Sequence, residues 1–221
     1  IVTARRETYA KSGVLPKVEF SNLVDDLWRR DFSVNAIAAS ITPDQFGQIA
    51  DPTDGMDDLK KGRIRILHAE SFTDDPTRIF RTVRYASRYN FQIENQTEVL
   101  LRSALAHIKL VSGSRLQNEF GLIFEEPMAV QIIQRLSDLG LETIICPEWQ
   151  IVPQLCKRWQ RIRKNLEWAS LYLTSYQFNS QDFFWMALDL PNQAQKMLAL
   201  SPNLQRKLAE QAKLAHRLLE G

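Results

Sequence analysis

Apolar positions along the chain fall into two regimes that change near residue 70. In the first regime they form short clusters without helical spacing. Ile1–Ala4 is a short β-favouring stretch, and Val14–Phe20 reads as a strand with Pro16 suited to an edge. Ser21 or Asn22 can cap a short helix over Leu23–Arg30, whose first turn carries Asp25 and Asp26 on the favourable side of the helix dipole. Ser33–Ile41 is rich in small and β-branched residues and fits either a strand or a buried helix. Asp51-Pro-Thr-Asp-Gly55 signals a turn, and Arg63–Leu67 alternates basic and apolar residues like a strand.

From Thr73 onward the spacing is helical. Asp74 and Asp75 precede Pro76, which suits a first helical turn, and Ile79, Val83, Ala86 and Tyr89 then recur on one face. Further helices are expected over Gln96–Ala106 and Ser114–Phe124, and from Pro127 to Gly140. Others are expected over Trp149–Tyr172, Gln181–Asp189, Gln193–Leu200 and Asn203–Glu220, with Pro147, Pro153, Pro191 and Pro202 as punctuation. The expected fold class is mainly α, with a partial α/β piece at the front. The pattern divides the chain into a short α/β piece, to about residue 70, and a longer all-helical region, with no repeat or low-complexity tract.

Composition narrows the class. Of 221 residues, 44% are hydrophobic and 24% charged, an ordinary globular balance that excludes a disordered chain. No apolar run is long enough for a membrane helix. The net charge of +2 is only mildly basic, so any polyanion site must come from a local patch. Cys146 and Cys156 lack nearby histidines and do not form a zinc site; free thiols in a reducing cytoplasm are expected. His68, His107 and His216 are scattered and receive no role. The chain opens on Ile1, in what reads as the middle of a strand, so a preceding segment is expected.

Four constellations carry candidate chemistry. Arg29, Arg30, Asp31 and Asn35 could grip a nucleotide, with guanidinium groups on phosphate oxygens and Asp and Asn on sugar hydroxyls. On spacing alone, a surface ion pair at a helix end fits them better. Asp75 and Arg78 stand three apart and can present a carboxylate beside a guanidinium fork, which together match the hydrogen-bonding edge of a base. Arg81, Arg84 and Arg88 continue the same stripe and suit phosphates; the alternative is a solvated basic face with Asp75 as a cap. Arg115 and Glu119 form an i, i+4 pair that stabilises a helix by only about 0.2–0.5 kcal/mol, so a structural role is favoured. Lys157, Arg158, Arg161 and Lys164, with Arg163 and Trp159 among them and Trp168 beyond, fit an RNA-phosphate grip and a solvated helix face equally well.

Taken in order, these stretches resemble one family. Ile1-Val-Thr-Ala-Arg-Arg-Glu-Thr-Tyr9, Asp25–Ala36 with its Arg-Arg-Asp-Phe core, Asp51–Lys60, Asp74-Asp-Pro-Thr-Arg78 and Ser114–Glu119 resemble the ordered motifs of class II tRNA nucleotidyltransferases and bacterial poly(A) polymerases. The resemblance covers residues 1 to about 126; beyond that it is a helical body of the same kind. It implies a nucleotidyltransferase head over 1–70, a helical neck with the nucleotide-selecting motif over 71–126 and a tRNA-binding body and tail over 127–221. It implies that Asp75 and Arg78 select the incoming base and that Arg29, Arg30, Arg81 and Arg84 contact the nucleotide. Asp31 and Asn35 would shape the sugar pocket. Asp51–Asp58 would act as a hinge-like element, and Arg115 with Glu119 would brace the neck. Asp74 stands where the family more often has Glu.

The departure is at the front. The family's glycine-rich phosphate loop and the strand carrying two aspartates one residue apart are not in this sequence. Asp25-Asp26 and Asp57-Asp58 are adjacent pairs on presumed helices or turns and cannot stand in for them. The magnesium ions expected for the complete enzyme therefore have no ligands here, and no cofactor or metal site is assigned to this chain. The resemblance implies RNA 3′ ends, tRNA foremost, and ATP with CTP as partners. A chain that is inactive by itself is expected, with a second copy or a second chain as candidates for supplying the front. A non-catalytic RNA-binding relative with a vestigial head is the alternative.

Overall fold

The computed structural model describes residues 2–151, 155–172 and 180–210. They form two compact units, 1–111 and 112–221. This division falls inside the 71–126 segment that the resemblance groups as a neck.

The first unit opens on an antiparallel pair, β1 (Arg5–Thr8) and β2 (Lys17–Phe20), in register from Arg5 opposite Phe20 to Thr8 opposite Lys17. The strand thus begins after the β-favouring Ile1–Ala4. Ser21 N–H closes the ribbon onto the Ala4 carbonyl. Helix α1 (Leu23–Trp28) is capped by Asn22, whose side chain accepts from Asp25 N–H. A 3-10 turn (Ser33–Asn35) and strand β3 (Ala38–Ala39) occupy Ser33–Ile41, the stretch that sequence left between strand and helix, and β3 pairs antiparallel with β4 (Ile49–Ala50) beyond it.

The Asp51 turn feeds α2 (Gly55–Lys61): the Asp51 carboxylate accepts from the N–H groups of Gly55 and Met56 at 2.8 and 2.9 Å. Two residues of the expected Arg63–Leu67 strand form β5 (Arg63–Ile64), paired in parallel with β6 (Gln92–Ile93). Between them run α3 (Ser71–Asp74) and α4 (Thr77–Arg88), and α5 (Asn95–Ala104) follows. The buried apolar residues of this unit include Leu27, Phe32, Ile64, Phe72, Ile79, Phe80, Val83, Leu101 and Ile108.

The second unit is helical throughout its described residues: α6 (Gly113–Phe124), α7 (Ala129–Asp138), α8 (Leu141–Ile145), α9 (Leu155–Tyr172), α10 (Ser180–Ala187), α11 (Asn192–Met197) and α12 (202–210). Gly140, at φ 72°, ends α7 as expected. An aromatic cluster holds the unit together. Phe120 and Phe124 on α6 meet Trp149, Trp159, Phe184 and Trp185, and the Trp159 and Phe184 rings stack at 3.9 Å. Residues 211–220 of the expected last helix, with His216, lie outside the described residues. No helix among the described residues is long and apolar enough to cross a membrane.

Candidate functional site

Most of the sequence-selected polar residues converge where α1, the 3-10 turn and α4 meet in the first unit. Asp31 is the junction. It is buried, and one carboxylate oxygen accepts from its neighbour's Phe32 N–H and from Asn35 Nδ2, both at 2.9 Å. The other oxygen takes the Arg81 guanidinium through both Nε and Nη2. The motif at residues 29–35 is thereby tied to α4, 50 residues on.

Arg78 is fixed from two sides. Its guanidinium donates to the Ser71 hydroxyl on α3 and, at 2.9 Å, to the Arg29 carbonyl at the end of α1. Asp75 sits half-buried between α3 and α4, and its carboxylate accepts from the Thr77 N–H and hydroxyl at 3.1 and 2.7 Å. These bonds close a turn ahead of α4, where Pro76 stands at the N-cap without a side-chain bond. The arginine stripe is not a solvated face: Arg78 and Arg84 are each only 5% exposed, whereas Arg88 is exposed. The guanidinium groups of Arg81, Arg84 and Arg88 all lie 5.0–5.8 Å from the centre of the Tyr85 ring. A chain that buries arginines this way holds them in place before any ligand arrives.

Arg29 and Arg30 share Asp26. Arg29 pairs with Asp26 at 2.7 Å and with Glu7 on β1 at 2.9 Å; Arg30 pairs with Asp26 at 3.0 Å and remains the more exposed of the two. Burial pushes the Asp26 carboxyl up, but hydrogen bonds from Arg29, the Arg5 backbone and Arg30 outweigh it and hold the group below the usual range. Asp74 is different: burial pushes its carboxyl up, with His68 and Arg78 opposing. Burial and then Arg78 lower the His68 imidazole.

Sequence reasoning left Glu7, Tyr9, Asp26, Ser71 and Tyr85 out of the site. Tyr9 donates to Glu7 at 3.1 Å. Burial raises its hydroxyl to about 12, with Arg78 opposing and Glu7 and Asp75 adding to the rise. Glu7 and Tyr9 lie within the motif that opens the chain, and Tyr85 stands four residues from Arg81, so the spacing held a signal for all three. Ser71 reaches Arg78 only through the turn between α3 and α4, and no spacing rule exposes that.

The remaining candidates lie elsewhere. Asp58, on the hinge-like stretch, is fully buried beneath Arg63 and Arg65 at 2.7 and 2.6 Å and also accepts from the Ser33 hydroxyl. Arg115 and buried Glu119 are on α6 in the second unit. Lys157, Arg158, Arg161 and Lys164 are all exposed on α9, and only Arg158 among them pairs with a described acid, Asp189 at 3.7 Å. Among the described residues, no group of three or more His, Cys, Asp or Glu side chains could hold a metal ion.

Several known proteins are similar to this chain. The family described as "Poly A polymerase head domain" matches residues 1–65, and that described as "Probable RNA and SrmB- binding site of polymerase A" matches residues 90–151. An A-adding tRNA nucleotidyltransferase of Halalkalibacterium halodurans is 46% identical over 146 residues, 63% of this chain and 34% of that protein. One from Geobacter sulfurreducens is 35% identical over 190 residues, 85% of this chain and 22% of that protein. A CC-adding tRNA nucleotidyltransferase of Synechocystis is 36% identical over 113 residues, 51% of this chain and 26% of that protein. Among solved structures, a CCA-adding enzyme in an apo form superposes with a TM-score of 0.85 at 31% identity, covering 100% of this chain and 53% of that one. The Thermotoga maritima CCA-adding enzyme complexed with tRNA superposes at 0.76 and 30% identity, covering 90% and 50%. The chain thus spans about a third or less of these curated relatives and about half of the solved enzymes.

The fold is a nucleotidyltransferase-type head followed along the chain by a helical region. The chain belongs to the class II tRNA nucleotidyltransferase and bacterial poly(A) polymerase family.

Proposed function

We propose that this chain is the nucleotide-selecting and tRNA-binding portion of a template-independent tRNA nucleotidyltransferase, and that the nucleotide it selects is ATP. The observation that carries the reading is the fixed Arg78. Its guanidinium is buried, oriented by Ser71 and by the Arg29 carbonyl, and it follows Asp75 at the start of α4. A carboxylate acceptor and a guanidinium donor held at one helix start suit the amino group and ring nitrogen of a base. Arg30 and Arg88 are both exposed, and their guanidinium groups suit phosphate oxygens. Asp31 and Asn35, already hydrogen-bonded to each other, would meet the ribose. ATP is preferred because, of the three curated relatives given above, the two with the longer matches are A-adding enzymes.

The two aspartates one residue apart that hold magnesium in this family are not in the sequence. The chemistry assigned to these residues is therefore selection and positioning, and the chain is expected not to transfer nucleotides by itself.

The test is calorimetric titration of the chain with ATP, CTP and GTP. ATP should bind best, and Asp75→Asn and Arg78→Lys should each weaken ATP at least tenfold while thermal melting confirms that both variants stay folded. Equal binding of all three nucleotides, or unchanged ATP affinity in folded variants, overturns the reading. Preference for CTP would move the assignment to CC addition.

A further inference from the structure

Helix α9 presents a face that neither matched family segment covers, since those end at residues 65 and 151. At 100° per residue, Leu155, Trp159, Ile162, Leu166 and Ala169 form its inner side, all buried or half-buried. The opposite side carries Lys157, Arg161, Lys164, Trp168, Leu171 and Tyr172, all exposed. The order along this side is cations first and aromatics last. Among the described residues, none of the three cations pairs with a carboxylate, and the face itself holds no acid.

The aromatic end is unusual for a surface. Trp168, Leu171 and Tyr172 are 56%, 72% and 68% exposed, and the Trp168 and Tyr172 rings lie 5.2 Å apart, tilted by 32°. Tryptophan elsewhere in this unit goes inward: Trp149, Trp159 and Trp185 are all buried. At about 1.5 Å rise per residue the cations span roughly 10 Å and the whole face roughly 22 Å. That length suits a few nucleotides of an extended strand. Unpaired cations attract phosphates, and exposed rings stack on bases of any sequence, which together make a single-strand binding surface. A duplex would engage the cations alone, because its bases are already stacked.

We infer that this face of α9 binds RNA through unpaired nucleotides, with Lys157, Arg161 and Lys164 on consecutive phosphates and Trp168 with Tyr172 as a base-stacking platform. The inference rests on the RNA-binding part of the reading above and is independent of nucleotide selection at Asp75 and Arg78.

The experiment is fluorescence anisotropy of the whole chain with a labelled single-stranded oligoadenylate and, separately, a blunt RNA duplex of equal length, across a salt series. Trp168→Ala/Tyr172→Ala should weaken the single strand at least fivefold, change duplex binding less than twofold, and leave ATP affinity intact. Lys157→Ala/Arg161→Ala/Lys164→Ala should weaken both RNAs and flatten the salt dependence. Equal single-strand affinity in the aromatic variant, or equal losses on both RNAs, overturns the inference while RNA binding stands. Binding of neither RNA by the unaltered chain removes both. A shift from dimer to monomer in sedimentation of the aromatic variant would assign the face to contact between copies and likewise overturn it.

Discussion

Asp26 shows how one carboxylate can organise a basic site. It is buried and receives the Arg29 and Arg30 guanidinium groups and the Arg5 N–H, so the two arginines expected to meet a nucleotide are held by the same acid. Its folded-state pKa lies below the unfolded value, so its ionised form contributes stability above about pH 4, and that contribution is lost as pH falls through the folded value. Asp26→Asn should cost about 1–2 kcal/mol at pH 7, most of it through Arg29 because Arg30 is well exposed. In urea titrations the gap between the two proteins should be flat from pH 7 to 5 and close in acid; a gap that widens on acidification would contradict the assignment. The spacing of Arg78, Arg81 and Arg84 was legible from the chain itself. Their environment was not, because Asp31 comes from 50 residues away and the Arg29 carbonyl from 49. Sequence periodicity places side chains on a face and carries no information on what that face meets.

At the scale of elements, the tie between α2 and the 3-10 turn fixes how the front of the first unit is assembled. A Cβ on Gly55 would stand 2.1 Å from the Ser33 carbonyl oxygen, too close for the backbone to tolerate. Helix propensity alone favours alanine there by about 0.5–1 kcal/mol. Overpacking works against it by about 1–3 kcal/mol or more, and it should win because the obstructing atom is main chain rather than a movable side chain. Gly55→Ala should therefore lower the melting temperature, with Lys60→Ala on the same helix as a neutral reference; stabilisation by Gly55→Ala would mean that α2 moves away at little cost. Most helices after residue 73 were legible because their signals are local: Pro76 at the start of α4, Gly140 after α7, Pro191 before α11; α8 was not expected, and α9 is described from Leu155 rather than Trp149. The strands were legible only in part: β2 falls within the expected Val14–Phe20 and β5 within Arg63–Leu67, while β1, β4 and β6 were not marked and β3 lies in the stretch left between strand and helix. Each of β3 to β6 spans two residues, and the parallel pairing of Arg63 with Gln92 joins positions that no short window relates.

Over the whole molecule, apolar surface is unevenly covered. In the first unit, the ribbon and α1 leave Leu15, Val18, Phe20, Leu23, Val24 and Trp28 exposed, while α4 buries Ile79, Phe80 and Val83 almost completely. A two-stranded ribbon is marginal in water without a packed face, so its local opening should cost far less than opening α4. Hydrogen exchange should therefore show amides of Arg5–Thr8 and Lys17–Phe20 at least tenfold less protected than those of Thr77–Arg88, at micromolar protein. The contrast separates two states of the same chain. If protection of the ribbon rises with protein concentration, the exposed side chains are closing against another copy, since association stabilises by mass action and internal packing does not. If it is high and independent of concentration, Glu7 is sufficient to hold β1, through its ion pairs with Arg29 and Arg5 and its hydrogen bond from Tyr9. In that case the Arg78 site keeps its support on β1 even where the ribbon's apolar side is open to water.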